Sequence, residues 1–144
     1  MSQTHQRLKV RIFRVPIERR FSDLDFLQHI NNVVYHDYLQ EARIRLMGEL
    51  LIDFAEQYIP QVLVRQEINY RKTLVLRPEP LVVEVWITEV GRTSYSLGYR
   101  ILDDDGSLAA DATSVMVCFD PATQGSVAIP NDYRAVLVEA KEGN

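Results

Sequence analysis

The chain has 144 residues, 47% hydrophobic and 25% charged, which suits one domain with one core and leaves too little for two. A formal net charge of −4 excludes the global basic field that gathers nucleic acid or anionic lipid. No stretch of about 18 or more apolar residues occurs, MSQTHQRLKVRIF has no apolar leader, and Cys118 is the only cysteine, so the sequence predicts a cytoplasmic protein with neither membrane span nor internal disulfide.

Residues 8–17, LKVRIFRVPI, read as a first strand with Val10 and Ile12 on its apolar face and Pro16 at its end or at an edge. A polar turn over 18–31 precedes the most helical segment, from about 32 to 51. There Tyr35, Tyr38, Leu39, Ala42, Leu46 and Leu50 recur at spacings of three and four, and Val33, Val34, Ile44 and Met47 widen the stripe. Four more strands follow: 62–70; 81–90, closed by Gly91; 93–102, with Tyr95, Leu97, Tyr99 and Ile101 on one face; and 109–119, stopped by Asp120-Pro121. The acidic run at 103–106 is a turn signature that lacks the spacing of calcium ligands. A short helix over 131–142 begins after Pro130. One long helix segregated from consecutive strands predicts an α+β fold, a buried helix across a curved five-stranded, largely antiparallel sheet. Its free edges favour pairing with another copy, as a homodimer or homotetramer.

The stretch SDLDFLQHINNVVY, residues 22–35, concentrates the polar chemistry at the entrance of the long helix. One reading is purely structural: Asp25 to Gln28 fits a capping box, and Asn31 or Asn32 could cap the helix. The other reading starts from the same geometry. A helix N-terminus offers unpaired N–H groups and a positive dipole end, able to hold a developing oxyanion. A carboxylate just before it, Asp25, could attack an acyl carbon directly or take a proton from an attacking water. An aspartate with an ordinary pKa of about 3.9 is a weak base at neutral pH, so the reading favours a nucleophile, or a base helped by burial against Phe26 and Tyr35. The three histidines, His5, His29 and His36, are scattered, and neither HExxH nor GxSxG occurs, so no metal site, serine elbow or cofactor is expected.

The run DLDFLQHINNVVY followed by YLQEAR resembles the active-site segment of hot-dog-fold acyl-CoA thioesterases of the 4-hydroxybenzoyl-CoA thioesterase type. Weaker matches follow in order: INY at 68–70, EVGRTS at 89–94, the Asp105-Gly106 turn and Ile129-Pro130. The resemblance implies a hot-dog fold, an acyl-CoA substrate and hydrolysis to a free acid and CoA. It implies Asp25 as the catalytic carboxylate, with Asp23 secondary, and the backbone N–H around Asn32 as oxyanion donor. His29 and Asn31 would shape the loop, and Tyr35 would line the acyl pocket. Beside these, Tyr70 could line the thioester tunnel or pack in the core, Arg92, like Arg71, Lys72 and Arg77, could meet the phosphates of coenzyme A or stay solvated, and Ser94 and Ser96 could face the acyl chamber or solvent. Glu41 and Arg43 would hold the helix to its surroundings. One departure stands out: Gln28 occupies the position where that family usually has glycine, which would alter the turn or narrow the pocket if a positive φ is needed there. It keeps open a non-catalytic acyl-CoA-binding or assembly module; a thioesterase for acyl chains on a carrier protein is a further alternative.

Overall fold

Strict alternation in the two central strands writes the inner face of a sheet: Leu81, Val83, Val85 and Ile87 on one, and Tyr95, Leu97, Tyr99 and Ile101 on the next, are all buried. The computed structural model describes residues 11–52 and 60–143. Its elements are β1 (Phe13–Ile17), a single 3₁₀ turn (Phe21–Asp23), α1 (Val34–Leu50), β2 (Gln61–Tyr70), β3 (Leu81–Val90), β4 (Ser94–Leu102), β5 (Leu108–Asp120), β6 (Gly125–Ser126) and α2 (Asn131–Glu142). The sheet is antiparallel in the order β1-β3-β4-β5-β2, with β6 paired to β5. The sixth strand, absent from the five expected, is a two-residue pairing in which Gly125 and Ser126 fold back on Asp120 and Phe119.

α1 crosses the inner face with its predicted stripe inward: Tyr35, Tyr38, Leu39, Ala42, Leu46 and Leu50 are buried. Two of the residues expected to widen it do not. Val33 lies before the first helical turn and is 68% exposed, and Ile44, about 200° around the helix from Ala42, is 61% exposed. The first strand is also out of phase with expectation: Phe13, Val15 and Ile17 face the core and Ile12 is 45% exposed. Period two puts the odd-numbered side chains of β1 inward, while Val10 and the start of the expected strand lie outside the described residues. α2 buries Tyr133, Leu137 and Ala140 beside α1, with the Tyr133 ring edge-on to Tyr95. On the outer face Trp86 lies flat on Gly98, where a Cβ would come within 2.7 Å of the indole, so only glycine fits there.

Among the described residues two edges are open, β1 and β2. Along β2 the side chains of Val62, Leu63 and Val64 are exposed. No helix among the described residues is long and apolar enough to cross a membrane.

Candidate active site

The polar turn is held as a small loop ahead of α1. Asn31 N–H donates to the Asp23 carbonyl (2.9 Å), Leu24 and Ile30 form an antiparallel bridge, and Asp25 N–H donates to the His29 carbonyl (2.9 Å). These bonds fold residues 23–25 back beside 29–31. The tip closes when Gln28 N–H reaches the Asp25 carbonyl (3.0 Å), with Gln28 in the left-handed region at φ 65°. Thus the positive φ that glycine would supply is present here in a glutamine.

The capping box expected over 25–28 does not form, because no helix starts there. Asp25 instead makes a turn of its own: its Oδ1 accepts from the N–H groups of Leu27 (3.0 Å) and His29 (3.3 Å). The cap on α1 comes from Asn31, whose Oδ1 accepts from Val33 N–H (3.0 Å) and whose carbonyl accepts from Val34 N–H (2.9 Å). Asn32 contributes its carbonyl, to Tyr35 N–H (3.3 Å) and to the Tyr70 hydroxyl (2.9 Å). The Asn32 N–H itself has no acceptor among the described residues.

The two aspartates of the loop are in different situations. Asp23 is buried and fully engaged: its carboxylate accepts from the Tyr38 hydroxyl (2.7 Å) and the Arg20 N–H (3.1 Å) and pairs with the Arg20 guanidinium (3.1 Å). Asp25 is partly exposed, and among the described residues no donor meets its Oδ2. A carboxylate oxygen open to a ligand and a free N–H at the start of a helix therefore belong to one tightly hydrogen-bonded loop. That pairing can attack or hydrate a carbonyl while holding the resulting oxyanion.

The connection 71–80 anchors the loop from below. Ile30 N–H donates to the Leu74 carbonyl (2.8 Å), and the Tyr35 hydroxyl donates to the Lys72 carbonyl (3.3 Å). Arg19, with its side chain wholly enclosed, holds that connection through the carbonyls of Val75 (2.8 Å) and Glu79 (3.1 Å) and reaches Asp103 (2.6 Å) and Asp104 (2.8 Å). Lys72 Nζ takes the other Asp103 oxygen (2.9 Å). Burial opposes ionisation of Asp103, but hydrogen bonds from Lys72, the Asp104 N–H and Arg19 outweigh it and hold the carboxyl well below the usual range. Read from the sequence as a turn, the 103–106 segment is also the anionic post of a buried clamp. Burial pushes the Tyr35 phenol up to about 12, so it is a neutral wedge, edge-on to Tyr70 with ring centres 5.0 Å apart.

Asp25, His29, Asn31, Asn32, Tyr35 and Tyr70 are thus gathered at one end of the molecule. Arg92 and Ser94 are not. Ser94 pairs with Val117 and Tyr70 with Ala110, putting them at opposite ends of β5, about 23 Å apart at the rise of a strand. Of the four cations expected to meet phosphate, Arg71 pairs with Asp111, Lys72 with Asp103 and Arg77 with Asp104, and only Arg92 has no ion-pair partner among the described residues. Glu41 does not tie the helix to the sheet; it makes a surface pair with Arg45 (3.5 Å). Arg43 does tie it, through Gln66 and the Tyr99 hydroxyl (3.1 Å each). Gln66 also meets His36 Nδ1 (2.7 Å). Sequence reading passed over Gln66 and weighed His36 only as a metal ligand, although His36 falls four residues after Asn32, on the same side of the helix. Among the described residues no group of three His, Cys, Asp or Glu side chains is arranged to hold a metal.

Comparison with known proteins bears on this geometry. A model of the thioesterase-like superfamily matches residues 19–137. The long-chain acyl-CoA thioesterase FadM of Escherichia coli K12 is 32% identical over 124 residues, 84% of this chain and 93% of that protein. A thioesterase from Thermus thermophilus, solved with coenzyme A and Zn, superposes with a TM-score of 0.76 at 30% identity, covering 91% of this chain and 95% of that one. The DHNA-CoA thioesterase of Staphylococcus aureus shares the fold, with a TM-score of 0.76 at 20% identity over 90% of this chain and 89% of its own.

Proposed function

The chain belongs to the thioesterase-like superfamily, with the hot-dog fold of its relatives, and we propose that it hydrolyses acyl-CoA thioesters to a free acid and CoA through Asp25 and the Asn32 N–H. The observation that carries this is the contrast within one loop: Asp23 is consumed by structure, while among the described residues Asp25 keeps an open oxygen and the N–H of Asn32 at the helix start has no acceptor. The thioester carbonyl accepts from Asn32 N–H, which polarises the carbon and stabilises the oxyanion as it forms. Asp25 then either takes a proton from the attacking water or attacks the carbon itself, expelling CoA thiolate and leaving an anhydride that water opens. Its hydrogen bonds from Leu27 and His29 fix the carboxylate without occupying Oδ2.

Gln28, the feature that motivates a non-catalytic module, adopts the left-handed turn that glycine would supply, which supports the catalytic reading. Free-thiol release from CoA-linked and carrier-protein-linked acyl panels tests the function, and turnover of none would refute it. Asp25→Asn keeps an oxygen for the Leu27 and His29 N–H groups, so it should fold normally yet lose about 10²- to 10⁴-fold in rate. Full activity in that variant would refute the assigned residue. Single turnover in ¹⁸O water separates the two roles, since label enters Asp25 only if it is the nucleophile.

The exposed edge of β2 supports a homodimer formed by pairing β2 with its copy in antiparallel fashion. That arrangement sets the Gln61 end of the second copy against the Tyr70 end of the first. Gln61 pairs with Cys118 and Ser94 with the adjacent Val117, so the Arg92–Ser94 turn of the second copy would approach this site. The placement lets Arg92 and Ser94 serve the active site across the dimer. Sedimentation analysis checks the oligomeric state: a monomer at micromolar concentration would refute the dimer, and a tetramer would require a second interface.

A further inference from the structure

A seam runs between α1 and the edge strand β2, beginning at the candidate oxyanion position. Side chains span it in sequence: Tyr70 to the Asn32 carbonyl (2.9 Å), Gln66 Nε2 to His36 Nδ1 (2.7 Å), and Arg43 to Gln66 Oε1 (3.1 Å). Beyond them the Tyr95 hydroxyl donates to the Met47 sulfur (3.6 Å). An acyl chain whose carbonyl met the Asn32 N–H and whose tail followed this seam would pass Tyr70 and come level with His36 one helical turn on, about 6 Å along the axis.

At that level the seam is polar in a way that a hydrocarbon chain cannot satisfy. Arg43 is 6% exposed, and its guanidinium meets only neutral acceptors, the Gln66 amide and the Tyr99 hydroxyl. No carboxylate lies within ion-pair distance of it among the described residues. Side chains on a helix lean toward its N-terminus, which brings Arg43 back toward His36 although it is two turns further along. Gln66 is the hinge of the group, its oxygen toward Arg43 and its nitrogen toward His36. Saturated hydrocarbon laid over these groups returns no hydrogen bond to them, whereas an oxygen acceptor offers the guanidinium one more.

We propose that His36, Gln66 and Arg43 set the acyl specificity, selecting an acyl group that carries an acceptor oxygen, a terminal carboxylate or hydroxyl, about 6 Å beyond the thioester carbonyl. This assignment rests on the thioesterase reading above. Its test is kcat/KM on three CoA esters of matching reach: heptanoyl, 6-hydroxyhexanoyl and adipoyl. The two oxygen-bearing esters are expected to exceed heptanoyl by about tenfold or more, because a site built to hydrogen-bond a substrate discriminates against the analogue lacking the polar atom. Arg43→Met should erase that preference, with Arg43→Gln, which also lacks the guanidinium, as the milder variant if the first does not fold. Equal or better use of heptanoyl by the wild-type enzyme overturns the specificity assignment and leaves the thioesterase reading standing. A preference that survives both variants overturns it too. Thiol release from none of the three, nor from a longer acyl panel, overturns the thioesterase reading and this one with it.

Discussion

Replacing Gln28 with glycine should stabilise the protein. The residue sits at φ 65°, a conformation that costs an L-residue roughly 1–2 kcal/mol and costs glycine nothing. Against this, glycine adds freedom to the unfolded chain, which returns about 0.4–1 kcal/mol. The Gln28 side chain is exposed and makes no hydrogen bond among the described residues, so the folded state loses no contact. The balance is a gain of about 0–1.5 kcal/mol, a rise in Tm of about 2–4 °C per kcal/mol for a domain near this size. Gln28→Ala supplies the control: it shares the left-handed strain and should stay near the wild-type value. Thermal unfolding followed by circular dichroism, with urea titration for the free energy, measures both. A Gln28→Gly variant less stable than Gln28→Ala would refute the claim that backbone conformation decides this position. Thiol release should persist in the glycine variant, because the Asp25 turn is closed by the residue 28 N–H and the Leu27 and His29 amides, none of which the substitution removes.

Asp103→Asn should cost about 1.5–3 kcal/mol in urea unfolding, since it weakens the charged hydrogen bonds to the enclosed Arg19 and to Lys72 while Asp104 still pairs with Arg19. The same carboxyl sets an acid limit: with its folded pKa depressed, the stability it contributes is complete above the ordinary aspartate value of about 3.9 and is lost as pH falls below that toward the folded pKa. Stability measured from pH 5 downward should therefore fall less steeply in Asp103→Asn than in the wild type, and parallel curves would exclude Asp103 as the titrating group. Tyr38→Phe removes the hydroxyl from buried Asp23 and should cost about 1.5–3 kcal/mol, measured by urea titration; no change would mean that Asp23 is satisfied without it.

The central fold was legible because its signals are periodic. The stripe from Tyr35 to Leu50 and the alternation from Tyr95 to Ile101 each name a buried face, and no distant partner is needed to read them. β1 was harder, since Val10 and Ile12 just before it suggest the phase opposite to Phe13, Val15 and Ile17, and a strand of five residues offers few repeats from which to choose. At the site, the order of residues in the loop pointed to Asp25, whereas the partners that give the residues their characters were invisible. Arg19 meets Asp103 across 84 positions, and Arg43 meets Tyr99 across 56. No local pattern encodes such meetings; they exist only once the sheet order brings β4 between β3 and β5.

That sheet order also explains how a loop without regular structure can hold a carboxylate in position. The segment 18–33 is fastened at three points that belong to different parts of the chain. Arg19 is locked to the β4–β5 turn and to the carbonyls of the 71–80 connection. Asp23 is locked to α1 through Tyr38, and Ile30 to the 71–80 connection through Leu74. Between the second and third of these anchors the chain has only to make one tight turn, and Asp25 is the residue that opens it. Such fastening limits the motion of the carboxylate relative to the Asn32 N–H, which follows two residues after the Ile30 anchor. Under the proposed mechanism, preorganisation of this kind would make the single Asn32 donor effective, because it need not be reoriented as an oxyanion develops. The strain at Gln28 is then the local cost of closing the turn between fixed ends. It falls on a residue of the loop tip whose side chain is exposed and whose backbone N–H closes the turn on the Asp25 carbonyl.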